Sequence, residues 1–159
     1  ARYANRWDRV NTHWEGIMGY HFSYLTIIII LVAAAIIDIR KKRIPDKLIL
    51  AGTVAGLAFA LIDPQREFSS SILGGVTAGL VLLIIHYIAK GGLGLGDVKL
   101  FGCSGIFLGL EGTVSAMLIS AVLSGIFSIV LICLNPDNKK REIPFAPFIL
   151  AGVLAVIIP

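Results

Sequence analysis

Long stretches of nearly uncharged, mostly apolar residues run through this chain and constrain its fold more than any other feature. The first of them contains the run IIIILVAAAII. A helix that crosses a membrane needs about 20 predominantly apolar residues, with a range of roughly 17–25. The candidate stretches are Phe22–Ile39, Leu48–Ile62, Ser70–Ala89, Asp97–Leu110, Gly112–Leu134 and Phe145–Ile158. The pattern predicts an all-α, polytopic membrane protein in which residues 22–159 form about six transmembrane helices.

The composition agrees with a membrane protein. Of the 159 residues, 57% are apolar and 15% are charged, and the mean hydropathy is +0.87. An average soluble domain is about 45–50% apolar and about 25% charged, so this chain has too few polar side chains to cover a water-soluble fold. Cys103 and Cys133 lie in apolar stretches and form no CxxC motif. The sequence therefore predicts neither a zinc site nor a disulfide framework. The loops 40–47 and 90–99 are too small to enclose a cofactor, so no metal or cofactor is predicted.

Basic residues are concentrated in alternate loops. Ten of the fourteen lie in the loops 40–47, 90–99 and 135–143, whereas the intervening loops contain only Arg66. The positive-inside rule places these three loops in the cytoplasm and both termini outside. The alternation requires Asp97–Leu110 to cross the membrane, although its 14 residues also fit a broken or re-entrant helix. The net charge of +4 is explained by this topology, so no nucleic-acid partner is predicted.

The first 21 residues differ from the rest of the chain. Tyr3, Trp7, Val10 and Trp14 recur at a helical period, and charged residues occupy the other faces. Such a helix is expected to lie at the membrane interface, with its aromatic rings at the depth of the lipid headgroups. Residues 1–21 are therefore predicted to be an interfacial amphipathic segment, the alternative being a frayed terminus.

Two aspartates are the main candidates for function, because ionisable residues are costly within a membrane. Asp38 lies at the end of the first stretch, and Asp97 begins the fourth, after the sequence GGLGLG. Both lie at cytoplasmic ends in the six-helix topology, so helix packing could bring them face to face. Simpler alternatives are an ion pair between Asp38 and the basic run 40–43, and a helix N-cap at Asp97.

Two carboxylates in one site cannot both ionise cheaply, so one keeps a proton and the other becomes a base. Hydrolysis of an amide by aspartates needs these two groups: the base takes a proton from water, and the acid polarises the scissile carbonyl. Gly94 and Gly96 precede Asp97 and would let a substrate backbone approach. Asp38 and Asp97 are therefore the predicted catalytic residues, and the two glycines are predicted substrate-binding positions.

Other polar residues near these positions have structural explanations. Lys99 is predicted to extend its ammonium group to the cytoplasmic face. Asp46 is predicted to form an ion pair or a helix N-cap, and His86 to be a hydrogen-bonded helix residue. Three pairs of glycines at GxxxG spacing predict close helix contacts: Gly52/Gly56, Gly75/Gly79 and Gly105/Gly109.

Three segments together resemble the type IV prepilin peptidase family of intramembrane aspartyl proteases. Leu93–Leu100, with the sequence LGLGDVKL, resembles the GxGD signature of that family. Asp38 followed by Ile44-Pro45-Asp46 resembles the family's first motif, in which an Asp and a short basic stretch precede Ile/Leu-Pro-Asn/Asp. Ile143–Phe148, with the sequence IPFAPF, resembles a proline-rich segment typical of the last span. The resemblance supports Asp38 and Asp97 as the catalytic pair and adds Pro144 as a substrate-binding position.

The resemblance implies an enzyme of the bacterial inner membrane that cleaves the leader peptide of type IV prepilins or pseudopilins near the cytoplasmic face. Methylating members carry an N-terminal cytoplasmic domain, often with four zinc-binding cysteines, and this pattern is not matched here. Either this chain is a peptidase-only form or it is the C-terminal part of a longer enzyme. As given, we expect it to cleave without methylating. Expected partners are the prepilin or pseudopilin and the lipid bilayer, and a homo-oligomer is left open.

Two other functions remain open at this point. In one, the same aspartates bind a proton or cation in a small membrane transporter, because intramembrane carboxylates also mark such pathways. In the other, the chain is a catalytically silent assembly protein of a pilus or secretion machine.

Overall fold

The fold is built from helices alone, as the sequence predicts. The computed structural model describes residues 6–63, 66–90, 92–134 and 144–158, with side chains from residue 21 onward, and these ranges contain no β-strand. The helices are α1 (Arg6–Lys41), α2 (Asp46–Ile62), α3 (Phe68–Ile88), α4 (Leu95–Leu134) and α5 (Ala146–Ile157).

The first helix joins two segments that the sequence separates. α1 continues from Arg6 to Lys41 without a break where residue 21 meets residue 22. Residues 1–5 lie outside the described part of the chain, and the interfacial position of residues 1–21 stays a prediction. α1 ends where Lys42 adopts a φ of 50° and donates its backbone N–H to the carbonyl of Asp38. Pro45, which has the extended backbone of an N-cap, then precedes α2.

The predicted fourth and fifth helices are the two parts of α4, which meet at a break formed by a non-helical residue, Gly109. Gly109 has a φ of 69° and a ψ of −177°, a backbone conformation that favours glycine because it has no Cβ. The break divides α4 into a first limb, 95–108, and a second limb, 110–134. The two predicted helices are therefore distinct segments whose connection is one residue rather than a loop.

The contacts of α5 and α3 show that the chain reverses direction at Gly109. The Phe148 ring lies 5.3 Å from the Phe127 ring, and a Cβ at Gly112 would lie 3.5 Å from Val156, so α5 is antiparallel to the second limb. At the break, the backbone N–H of Leu110 donates to the Ser70 hydroxyl at the start of α3. His86, near the end of α3, contacts Leu93 just before the first limb, so α3 is antiparallel to that limb.

These directions define two ends of the helix bundle. The α1–α2 and α3–α4 connections and the start of α5 lie at one end, which we call the aspartate end. The α2–α3 connection and Gly109 lie at the other, which we call the Gly109 end. Six helical segments, with the two limbs of α4 counted separately, run between these ends.

Three segments of the described chain are long and apolar enough to cross a membrane: His21–Lys41, Phe68–Ile88 and Leu95–Leu134. α5 is apolar but shorter, at 12 residues. The predicted class, an all-α membrane protein, is therefore confirmed. The predicted number of about six crossings stays a prediction, because it needs α2, α5 and each limb of α4 to cross the membrane separately.

The core surrounds α4, which contacts each of the other four helices. Its first limb is the most buried part, with Leu100, Phe101 and Phe107 almost without exposed surface. Its second limb instead exposes large apolar side chains, including Leu118 and Val122. A helix that is apolar on its outer face is typical of a membrane span, so we expect this face to contact lipid.

Glycines bring the helices into close contact at several of the predicted positions. A Cβ at Gly52 would lie 2.8 Å from Cys103 Sγ, and a Cβ at Gly56 would lie 2.7 Å from the Phe107 ring. α3 also approaches α4 closely at Gly74, where a Cβ would lie 2.5 Å from the carbonyl oxygen of Gly105. Of the predicted pair Gly75/Gly79, a Cβ at Gly75 would lie 2.7 Å from Ile106, which confirms the close contact there, whereas a Cβ at Gly79 would meet nothing within 4 Å.

Candidate active site

Asp38 lies in the last turn of α1 and is buried, with 7% of its surface exposed. Its Oδ2 accepts a hydrogen bond of 3.3 Å from the backbone N–H of Ala146, the first residue of α5. The N–H groups of the first helical turn have no partner within their own helix and carry the positive end of the helix dipole. The carboxylate therefore stabilises the start of α5, a contact different from the ion pair with residues 40–43 that the sequence left open.

Asp97 lies in the first turn of α4, two residues after the helix begins. The carbonyl of Gly94 accepts hydrogen bonds from the backbone N–H groups of Asp97 and Val98, at 3.1 and 3.3 Å. Gly94 therefore takes the capping position that the sequence left open for Asp97. The Gly94 N–H in turn interacts with the side-chain carboxyl group of Asp97. Gly94 therefore interacts with both the backbone and the side chain of Asp97.

One oxygen of Asp97 has no partner. Oδ1 is buried and forms no hydrogen bond with any of the described residues. An unsatisfied buried polar atom costs free energy and is uncommon in folded proteins, which makes it a marker of sites where a substrate or water binds.

The two aspartates meet at the aspartate end. Asp38, from α1, interacts electrostatically with the carboxyl group of Asp97, from α4. The start of α5 lies against the same pair, because its Ala146 N–H bonds to Asp38. Three helices that are far apart in sequence thus supply two carboxyl groups and one backbone donor to a single site.

The predicted substrate-binding residues lie around this pair. Gly94 is exposed and adjacent to Asp97, where a Cβ would lie 3.1 Å from Oδ2. Gly96 is half-buried beside Ile44, and a Cβ at Gly96 would lie 3.5 Å from the Cβ of Ile44. Pro144 is half-buried and lies two residues before Ala146. All three residues are at the aspartate end, and their contact with a substrate stays a prediction.

The structural explanations predicted for Asp46 and His86 are confirmed, and the one predicted for Lys99 is changed. Asp46 forms the predicted ion pair, and its partner is Lys99, at 2.7 Å. Lys99 therefore bridges the first turns of α4 and α2 rather than only reaching towards solvent. His86 is hydrogen-bonded, as predicted, through its Nδ1 to the carbonyl of Leu93.

Sequence reasoning missed the role of the start of α5. Ala146 is an ordinary apolar residue, and nothing in its chemistry indicates a contact with Asp38. The available signal was Pro147, because proline favours the first turn of a helix and thereby marks a helix start with unpaired N–H groups. No group of three or more metal-binding side chains occurs in the described part of the chain.

Comparison with known protein families identifies the family to which this chain is similar. The sequence model of the type IV leader peptidase family matches residues 25–129, a range that contains both Asp38 and Asp97. The chain belongs to the type IV leader peptidase family. The sequence resemblance to this family is thus confirmed over well more than half of the chain.

Several relatives in the family are named prepilin leader peptidase/N-methyltransferase. The protein of that name from Aeromonas salmonicida (strain A449) is 32% identical over 134 residues, covering 80% of this chain and 46% of the relative. The one from Bacillus subtilis (strain 168) is 30% identical over 131 residues, covering 82% of this chain and 53% of the relative. The one from Xanthomonas campestris pv. campestris is 27% identical over 155 residues, covering 94% and 52%. The chain spans about half the length of these relatives, and no solved structure matches it.

Proposed function

We propose that this chain is a membrane-embedded aspartyl endopeptidase that cleaves the leader peptide of type IV prepilins or pseudopilins. The observation that carries the proposal is that Asp38 and Asp97 lie at the same end of the bundle, where their carboxyl groups interact electrostatically. Membership of the type IV leader peptidase family and relatives named prepilin leader peptidases support the substrate class.

In the proposed mechanism, Asp38 is the base and Asp97 the acid. The contact of Asp38 with the Ala146 N–H at the positive end of α5 suits an ionised carboxylate, which only accepts hydrogen bonds. The unpaired Oδ1 of Asp97 suits a protonated oxygen that donates to a substrate. The two environments give the two carboxyl groups different roles.

The proposed reaction has two steps. Asp38 takes a proton from a water molecule, whose oxygen attacks the scissile carbonyl carbon while the carbonyl oxygen receives the proton of Asp97. The tetrahedral intermediate then collapses: its hydroxyl proton returns to Asp97, the C–N bond breaks, and the leaving nitrogen takes the proton held by Asp38. Both aspartates end in their starting states.

We also propose that the aspartate end faces the cytoplasm of a bacterial inner membrane. Seven basic residues of the described ranges lie at that end, whereas the opposite side has Arg66 in the α2–α3 connection and Arg6 and Arg9 near the start of α1. Basic residues collect in cytoplasmic loops, so this asymmetry supports the orientation. The basic residues at the aspartate end are Arg40, Lys41, Lys42, Arg43, Lys47, Lys90 and Lys99.

The rival function, proton or cation transport, has less support. A proton or ion path through the bundle needs polar side chains available to the ion. The buried hydroxyls of Ser104, Thr113 and Ser120 instead donate to carbonyls of their own helix, α4. These three hydroxyls are therefore engaged with the backbone and not available to an ion.

The proposed function is tested by incubating the purified protein, in lipid nanodiscs, with a prepilin. We expect mass spectrometry to show the loss of a leader-sized fragment. An uncleaved prepilin, with protein whose helical content and unfolding transition are intact, would contradict the proposal.

A further inference from the structure

A histidine outside the carboxylate pair makes a specific contact with the segment that leads to Asp97. His86 lies in the last turn of α3 and is half-buried, with the Tyr87 ring packed edge-on at 5.5 Å. Its Nδ1 contacts the carbonyl oxygen of Leu93. A carbonyl oxygen only accepts hydrogen bonds, so Nδ1 must carry the hydrogen and donate it.

The Leu93 carbonyl belongs to the same peptide unit as the N–H of Gly94. A peptide unit is planar, so fixing its C=O also fixes the direction in which its N–H points. The Gly94 N–H interacts with the Asp97 carboxyl group, and a Cβ at Gly94 would lie 3.1 Å from Asp97 Oδ2. One side of this peptide is therefore held by His86, and the other side contacts Asp97.

We propose that His86 is a positioning residue that holds the Leu93–Gly94 peptide in the orientation in which its N–H faces the Asp97 carboxyl group. The effect of His86 on catalysis rests on the proposed peptidase function. Its effect on the Asp97 carboxyl group does not.

The segment around this peptide needs an external anchor. Lys90 has a φ of 49°, and Gly92 and Gly94 add two residues with wide backbone freedom. The Leu93 side chain packs against the core, which fixes where the segment lies. That packing does not define the rotation of the peptide plane, whereas the His86 hydrogen bond does.

The test compares variants of His86 in the whole chain. His86→Leu removes the donor, whereas His86→Asn keeps an N–H close to the place of Nδ1. Because misplacing a catalytic group by about 1 Å costs up to about 100-fold in rate, we expect kcat of His86→Leu to fall by up to that factor with KM nearly unchanged. We expect His86→Asn to restore most of the rate. Ile88→Ala, at an exposed position of the same turn, is the matched control.

The second readout is independent of catalysis. The infrared band of the Asp97 carboxyl group is identified by its loss in Asp97→Asn. We expect this band to shift in His86→Leu, to return in His86→Asn and to stay in place in Ile88→Ala. If the His86→Leu protein does not fold, His86→Gln is used in its place. The side-chain N–H of Gln lies about one bond away from the position of Nδ1, so we expect the same shift of the Asp97 band.

The outcomes separate this inference from the proposed function. An unchanged Asp97 band in a folded donor-removing variant would overturn the positioning role of His86. A shifted band in a protein that never cleaves a prepilin would support the positioning role and overturn the peptidase proposal. A fall in rate that His86→Asn fails to restore would also overturn the positioning role.

Discussion

The carboxylate of Asp38 accepts a hydrogen bond from the backbone N–H of Ala146, 108 residues further along the chain. This contact links the last turn of α1 to the first turn of α5. It also makes Asp38 a structural residue as well as a candidate catalytic one, so its two roles must be separated by the choice of substitution.

The Asp38→Asn and Asp38→Ala variants are expected to differ in their free energy of unfolding. The amide oxygen of Asp38→Asn can still accept from the Ala146 N–H, whereas Asp38→Ala leaves that buried donor without a partner, at a cost of about 1–3 kcal/mol. Unfolding in detergent micelles, followed by circular dichroism, measures the difference. Equal stability of the two variants would show that the Asp38–Ala146 contact contributes nothing to the fold.

Alanine substitutions should distinguish two glycines of α3. A Cβ at Gly74 would lie 2.5 Å from the Gly105 carbonyl oxygen, whereas a Cβ at Gly79 would meet nothing within 4 Å. We expect Gly74→Ala to destabilise the protein by about 1–3 kcal/mol through overpacking. Gly79→Ala is the matched control, because it makes the same chemical change on the same helix with room available. A neutral Gly74→Ala would contradict the backbone contact between α3 and α4.

The ion pair between Lys99 and Asp46 should contribute little to stability. Its side chains are 54% and 78% exposed, and exposed pairs are typically worth about 0.2–1 kcal/mol. A double-mutant cycle with Lys99→Gln and Asp46→Asn measures the coupling between the two side chains. A coupling well above that range would mean that the pair holds α2 and α4 together.

Single cysteines should report on the topology. Cys133 is exposed and is first replaced by Ala, whereas Cys103 is buried and can remain. An impermeant maleimide added to intact cells should label Glu67→Cys and Glu111→Cys at the Gly109 end. It should not label Lys90→Cys at the aspartate end.

The labelling result also tests the number of membrane crossings. Labelling of Glu111→Cys together with protection of Lys90→Cys requires the first limb of α4 to cross the membrane. Labelling of Lys90→Cys from outside would contradict both the six crossings and the cytoplasmic position of the aspartates.

The sequence predicts the helices and the aspartate pair for physical reasons that are local. A membrane-spanning helix needs a minimum number of apolar residues, so the apolar runs indicate where the helices lie. The alternating basic loops place Asp38 and Asp97 at one end. Neither signal depends on how the helices pack.

Features that depend on packing could not be predicted in the same way. Gly75 and Gly79 belong to the same GxxxG pair, and only the crossing of α3 and α4 decides that Gly75 packs tightly while Gly79 has room. The Asp38–Ala146 bond uses a backbone N–H, which every residue other than proline has. The His86 contact was expected as a hydrogen bond, but its acceptor, Leu93, depends on the path of the α3–α4 connection.

The central claim, that Asp38 and Asp97 act as one catalytic pair, is tested most directly by the rate of prepilin cleavage in three variants. These are Asp38→Asn, Asp97→Asn and the double variant, each first shown to be inserted and folded. Residues that act as a unit have non-additive effects, and general acid–base catalysis contributes about 10²–10⁴-fold. We therefore expect each single variant to lose at least about 100-fold in kcat and the double variant to be no slower than the worse single one. Near-wild-type cleavage by either folded single variant, or multiplicative losses in the double variant, would contradict the account.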